Sequence, residues 1–235
     1  MVDVAPLVVS VVALLVSIYS VWNKQRESQR QTLLRLNTVV DELNKVSYDL
    51  QKDSDQYVAT AQLVPTSLNS VANGRREILC AEAIQLAGLI KGGLTISQLR
   101  TVAAGFSNAG YLQKAESLLR QGTSRSISGP EKMFVERGLG LVLLRMGKHD
   151  EGRQAFKNAL TVTLDKSDDR HWHRAETLIR WAGQERLCGD LSKSLTLLEE
   201  AESEARLVID RNSIERLDRW IAVERGQLER IGKQR

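Results

Sequence analysis

The sequence predicts an all-α protein built as an N-terminal single transmembrane helix, a helical stalk and a C-terminal α-solenoid of antiparallel helical hairpins. Three observations lead there. Val4 to Trp22 carries no charged residue. The polar segment after it repeats apolar residues at alternating three- and four-residue spacing. Glycine-centred turns then recur between amphipathic stretches of the C-terminal half. Proline is scarce, three in 235 residues, while Leu, Ala, Glu, Arg and Gln are abundant. Helix is therefore favoured throughout, and no convincing strand follows residue 22.

The first element is read as a membrane anchor, residues 1–22. At about 1.5 Å rise per residue, Val4–Trp22 spans roughly 28 Å as a helix, close to the ~30 Å hydrocarbon core. Its Val, Leu and Ile residues outweigh Ser10, Ser17 and Ser20 for insertion, and Tyr19 and Trp22 stand where an interfacial aromatic belt lies. A strand of this length is out of range, and neither a positive n-region nor a small-residue cleavage site marks a signal peptide. Lys24, Arg26, Arg30 and Arg35 follow the run and no basic side chain precedes it. The positive-inside rule then predicts a single-pass membrane protein with its N-terminus outside, its C-terminal domain cytoplasmic, and membrane lipid held through the anchor. Cys80 and Cys188 lack the spacing of a disulfide framework and read as buried small hydrophobes. The formal charge of +4 allows anionic lipid or acidic proteins as partners. No nucleic acid is expected, because no basic stripe is interleaved with aromatics.

Residues 23–73 form the helical or coiled-coil stalk and linker. Leu33, Leu36, Val40, Leu43, Leu50, Tyr57, Ala61 and Val64 fall on one a/d seam, interrupted by Ser47 and Ser54. Two arrangements account for it: a dimeric coiled coil that makes the chain a homo-oligomer, or one amphipathic helix packed back on its own domain. Pro65 ends the pattern, and Thr66 to Gly74 reads as a boundary because Ser, Asn and Gly supply turns. The repeat domain, residues 74–235, then opens with a helix over 74–91 closed by Gly92 and Gly93.

Self-similarity is the main internal signal of that domain. Gly110-Tyr111, Gly147-Lys148 and Gly189-Asp190 each end one amphipathic helix and open a turn into the next. Around the middle turn, Gly140, Gly152 and Ala159 permit close helix approach while Leu139, Leu143 and Phe156 fill the space between helices. The stretch Leu139 to Leu160 resembles the tetratricopeptide repeat family, with its Leu-Gly, turn-Gly, small, aromatic and Ala-Leu pattern and with Gly152 in place of the usual alanine. Val102, Ala103, Phe106, Gly110, Ala115 and Leu119 make a weaker first copy, in which Gly122 stands where alanine is usual. Trp181, Ala182, Gly189, Leu198 and Ala201 make a third, with departures at Glu185 and Ser194. The turns stand 37 and 42 residues apart, against about 34 in the family. Longer loops between hairpins, at Gly122–Lys132 and Leu164–His173, supply the difference. Thr95 with Gln98 has capping-box spacing, Pro130 suits a first helical turn, and Ser167, Asp168 and Asp169 can cap the next helix. Ser213 to Ile231 reads as a terminal helix with a polar outer face.

The resemblance implies that the first helix of each hairpin lines a concave surface, carrying Ser97, Arg100, Ala104, Ser107 and Asn108 in the first copy. The second copy brings Phe134, Arg137, Leu141, Leu144 and Arg145; the third brings Glu176, Ile179, Gly183, Arg186 and Leu187. Three- and four-residue spacing puts each set on one helix face. The candidate partner-binding groove is Arg100, Asn108, Phe134, Arg137, Leu141, Leu144, Arg145 and Arg186, mixed basic and apolar, suited to a protein or peptide segment gripped by arginine. Ala104 and Leu141 stand where tail-binding members of the family use asparagine, which argues against their carboxylate clamp.

His171 and His173 point to different faces with no third ligand in sequence reach, so no metal is expected. Glu199, Glu200, Glu202 and Glu204 spread around a helix as a solvated face. No phosphate-cradling loop, nucleophile elbow or zinc-protease motif is present, so neither enzyme activity nor a cofactor is expected. The expectation is a membrane-tethered adaptor or scaffold that holds a protein partner at the cytoplasmic face. Alternatives are an extracytoplasmic repeat protein assisting secretion or envelope assembly, and a structural component that self-associates through its stalk. A mitochondrial outer-membrane receptor shares the expected topology.

Overall fold

The computed structural model describes residues 5–59, 66–126, 128–162 and 169–233, and the side chains of 14–50, 52, 68–126, 128–162 and 170–233. The chain divides into two compact units, Met1–Thr95 and Ile96–Arg235. Helix is the only regular structure among the described residues.

The first unit pairs α1 (Ala5–Ala59) with α2 (Thr66–Gly88) as an antiparallel hairpin. Polar contacts give the register: Gln29 Nε2 donates to the Leu89 carbonyl at 2.8 Å, Arg35 meets Glu82 at 2.7 Å, and Glu42 lies 4.0 Å from Arg75. Between them Leu36, Val39, Val40, Leu43 and Val46 of α1 bury against Leu79, Cys80 and Ala83 of α2. Leu36, Val40 and Leu43 of the expected seam thus lie on the inner face of a hairpin with α2. The seam's N-terminal member Leu33 is exposed, and Tyr57, Ala61 and Val64 lie outside the described side chains. The helix over 74–91 starts earlier, at Thr66, so the Ser-Asn stretch is helical. Gly74 carries a helix penalty of about 1 kcal/mol, offset by the burial of Leu79, Cys80 and Ala83 two turns on.

No helix among the described residues is long and apolar enough to cross a membrane. This overturns the transmembrane anchor Val4–Trp22, and with it the single-pass placement with an outside N-terminus and a cytoplasmic C-terminal domain. Val4 lies outside the described residues, and the rest of the run opens α1, a 55-residue helix that passes unbroken into Asn23, Lys24, Gln25 and Arg26.

The second unit comprises α3 (Ile96–Asn108), α4 (Leu112–Arg125), α5 (Gly129–Arg145), α6 (His149–Thr161), α7 (Asp169–Leu187), α8 (Leu191–Ala205) and α9 (Arg211–Lys233). α3 with α4, α5 with α6, and α7 with α8 are the three expected hairpins, stacked in order as an α-solenoid-like bundle, and α9 packs on α7 and α8. The three turns share one geometry. Gly110, Gly147 and Gly189 take φ of 92°, 76° and 88°. That left-handed step lets the next N–H reach back to the carbonyl five residues earlier: Tyr111 to Phe106, Lys148 to Leu143 and Asp190 to Glu185, each at 2.9 Å. Ser128 and Glu131 cap α5 reciprocally, with Pro130 in its first turn. Ser167 and Asp168, proposed as caps of α7, lie outside the described residues.

Register from each turn glycine places like with like. Five residues on stand Ala115, Gly152 and Ser194; seven residues back stand Ala103, Gly140 and Ala182, all buried. Helices approach closely there: a Cβ on Gly140 would meet the Phe156 ring at 2.6 Å, and one on Gly152 the Leu144 side chain at 2.8 Å. The two departures in the third copy have polar explanations. Ser194 donates its hydroxyl to the Ala182 carbonyl at 2.8 Å. Glu185, in the position of buried Leu143, is 0 % exposed and accepts two bonds from Arg153 at 2.8 and 2.7 Å and one from Trp181 Nε1 at 2.8 Å. A buried carboxylate is tolerated where its charge and lone pairs are met in this way. Phe156 stacks on Trp181 with centroids 5.3 Å apart, joining the second and third hairpins. Cys188, expected to be buried, is exposed because it falls in the turn after α7.

Candidate functional site

α3, α5 and α7 lie side by side, α3 on α5 and α5 on α7. Their inner-facing residues meet around one aromatic ring. Phe134 receives the guanidinium of Arg100 4.4 Å from its centroid and that of Arg137 at 5.0 Å, while His173 meets its edge at 5.2 Å. Arg137, 7 % exposed, spends its charge on Glu176: Nη1 to Oε2 is 2.6 Å. The other Glu176 oxygen takes Arg180 at 3.0 Å, and Arg180 also covers the Trp220 ring of α9 at 5.0 Å. Burial alone pushes the Glu176 carboxyl up, but nearby His173, Arg137 and Arg180 outweigh it and hold the group well below the usual range. One carboxylate therefore faces two guanidiniums and an imidazole.

The remaining candidates fall into two groups. Arg100 forms no ion pair among the described residues; burial, reinforced by repulsion from Arg137, pulls its guanidinium below the ordinary value. Arg145 donates to Ser107 Oγ at 2.7 Å and meets no carboxylate among the described residues, and burial lowers it as well. Both remain cations at neutral pH. Asn108 is exposed at the end of α3. The others are engaged within the fold. Leu144 belongs to the buried core and Leu141 packs against it. Arg186 pairs with Glu224 of α9 at 3.1 Å, both side chains nearly buried, and Glu224 also stands 3.4 Å from where a Cβ on Gly183 would lie. α9 thus occupies the inner face of the third hairpin and leaves that of α3 and α5. Sequence reading missed this coverage. Its signals were Leu217 and Ile221 on one face of α9, with Trp220 and Glu224 beside them, but they name no target.

His171 Nδ1 lies 2.7 Å from Glu204, which also takes Arg174 Nε at 2.6 Å. Glu202 pairs with Arg225 at 2.9 Å, so half of the acidic run is tied into the fold and only Glu199 and Glu200 are exposed. Among the described residues no group of three or more His, Cys, Asp or Glu side chains is placed to hold a metal.

The described residues of the second unit make an all-helical, solenoid-like bundle. No protein-family model, no curated protein and no solved structure matches the chain.

Proposed function

We propose that the chain is an adaptor or scaffold whose second unit holds a protein partner, taking an acidic peptide segment or helix along the inner face of α3 and α5. The observation that carries this reading is the pair Arg100 and Arg145. Arg100 is half-buried and Arg145 exposed, and neither has an ion-pair partner among the described residues, whereas Arg137 and Arg186 are matched by Glu176 and Glu224. A partly desolvated guanidinium with unused donors favours a carboxylate that arrives with its ligand. Phe134 and the exposed Asn108 add apolar surface and a peptide hydrogen-bonding group beside them. The resemblance to tetratricopeptide repeats supports the same face, although Ala104 and Leu141 make it a different groove from the family's tail-binding clamp.

A fluorescence-anisotropy screen of acidic and neutral peptides against the full chain tests the assignment. Arg100→Glu and Arg145→Glu should each weaken acidic-peptide binding tenfold or more, about 1.4 kcal/mol. Arg211→Glu, on an α9 side chain that is 91 % exposed, should leave it unchanged. Equal affinity in all three variants, with wild-type circular dichroism and Tm, would remove the groove from consideration.

A further inference from the structure

A second site lies on a different face of α5, away from the proposed groove and independent of it. Between α4 and α6, floored by α5, is an open cavity of about 420 Å³, within the range of small-ligand pockets. Its floor is apolar, from Leu139, Leu143 and Ala155, and Glu136 lines it beside them. Glu136 is 4 % exposed, yet no Lys, Arg or His among the described residues comes within ion-pair distance. Its one recorded hydrogen bond is a long one, from Asn158 Nδ2 at 3.5 Å. The contrast with Glu185, three bonds and a bidentate arginine, is the anomaly. Burial pushes the Glu136 carboxyl up, against Asn158 and the more distant charges of Lys132 and Arg120.

The two hydroxyl donors at the cavity, and one amide N–H of Gln154, are already spent. Thr123 Oγ1 donates to the Leu119 carbonyl, Ser124 Oγ to that of Gln121, and Gln154 Nε2 to Asn158 Oδ1. Arg120, at one end, is held by Glu116 and by Glu151 at 2.6 Å. The acceptors at the cavity are hydroxyl lone pairs and the Glu136 carboxylate, the one buried charge in its lining without an ion pair among the described residues. We infer that this cavity binds a primary aliphatic ammonium group, its nitrogen on Glu136 and the hydroxyls of Thr123 and Ser124, its alkyl chain on Leu139, Leu143 and Ala155. A cation with three N–H donors satisfies the acceptors together and compensates the buried charge. The group belongs to a free alkylamine or to a lysine side chain, chemically identical at the nitrogen.

Isothermal titration of the full chain decides between these outcomes, with 1,5-diaminopentane, hexylamine and Nα-acetyl-lysine methylamide as probes and hexan-1-ol as the uncharged control. One amine should bind saturably at one site and hexan-1-ol should not. Tighter binding of the free amines assigns a small molecule; tighter binding of the lysine derivative assigns a polypeptide side chain. Glu136→Gln should weaken the amine at least tenfold with Tm equal to or above wild type. Ser124→Lys, at an exposed position on the rim, supplies an internal ammonium and should raise Tm while blocking the probe, which keeps the test decisive if Glu136→Gln does not fold. No saturable amine binding to the wild type, or equal binding to the folded variants, overturns the site. Neither result bears on the peptide groove, which Arg100→Glu and Arg145→Glu read separately.

Discussion

Glu185 shows how one side chain can replace a hydrophobic contact. At the corresponding position of the second hairpin Leu143 is simply buried; here a carboxylate, wholly inside, joins α6 to α7 through Arg153 and Trp181. Removing one partner of such a pair leaves the other uncompensated, so Glu185→Ala should lose about 3 kcal/mol in urea denaturation. A loss no larger than that of an exposed substitution would show that the pair is not formed. Glycines separate by environment in the same way. Gly140→Ala forces a methyl against the Phe156 ring at 2.6 Å and should cost about 1–3 kcal/mol. Gly226→Ala, inside α9 with nothing within 4 Å of the new methyl, should add about 0.5–1 kcal/mol by restoring helix propensity. Thermal melts of the two variants should move in opposite directions.

Among the elements, α9 is the one whose role its own sequence conceals. Leu217 and Ile221 bury into the core of the third hairpin, while Trp220 lies under Arg180 and Glu224 pairs with Arg186. The helix is at once a cap on the solenoid and the cover of a would-be groove segment. Leu217→Ala, at a site 0 % exposed, should destabilise by about 2–5 kcal/mol. Val223→Ala, 57 % exposed on the same helix, should change stability by less than about 0.5 kcal/mol. Similar losses at both positions would contradict the face that α9 buries. The three hairpin turns were legible beforehand because each depends on a local feature, a glycine in the left-handed region followed by a short bond back to the preceding helix. The start of α2 was not, since Thr66 to Gly74 carries turn-forming residues and only burial of the next two turns on α1 holds it helical.

Across the second unit, carboxylates matched with cations set the response to acid. Lys148 and Arg120 lower Glu116, and His171 and Arg174 lower Glu204 against its burial, as Arg137 and Arg180 do for Glu176. A depressed carboxylate stabilises the fold above its unfolded pKa, and the contribution disappears as pH falls through the folded value. Tm should therefore hold down to about pH 5 and fall below about pH 4, where unfolded glutamates take up protons. Glu176→Gln should flatten that acid limb when scanned calorimetrically from pH 6 to pH 3; an unchanged limb would mean that the Arg137 pair does not persist in solution.

The sequence by itself determined the helical class, the three turns and the small residues at helix crossings, because propensity, glycine backbone freedom and apolar spacing act within a few residues. Periodicity put Arg137 and Arg145 within shared helix faces, while only the resemblance to tetratricopeptide repeats proposed which faces of α3, α5 and α7 turn inward. Tertiary structure decided which of those charges stay unmatched. Glu176, Glu224 and Glu136 acquire their meaning from cations brought near or kept away by other helices, and no local pattern encodes that distance. The apolar N-terminal run shows the same division: its composition announced an anchor, whereas its structure is the start of a long helix that continues straight into charged residues. Composition measures affinity for apolar surroundings, while a crossing needs a helical stretch both long and apolar enough, which no helix among the described residues supplies.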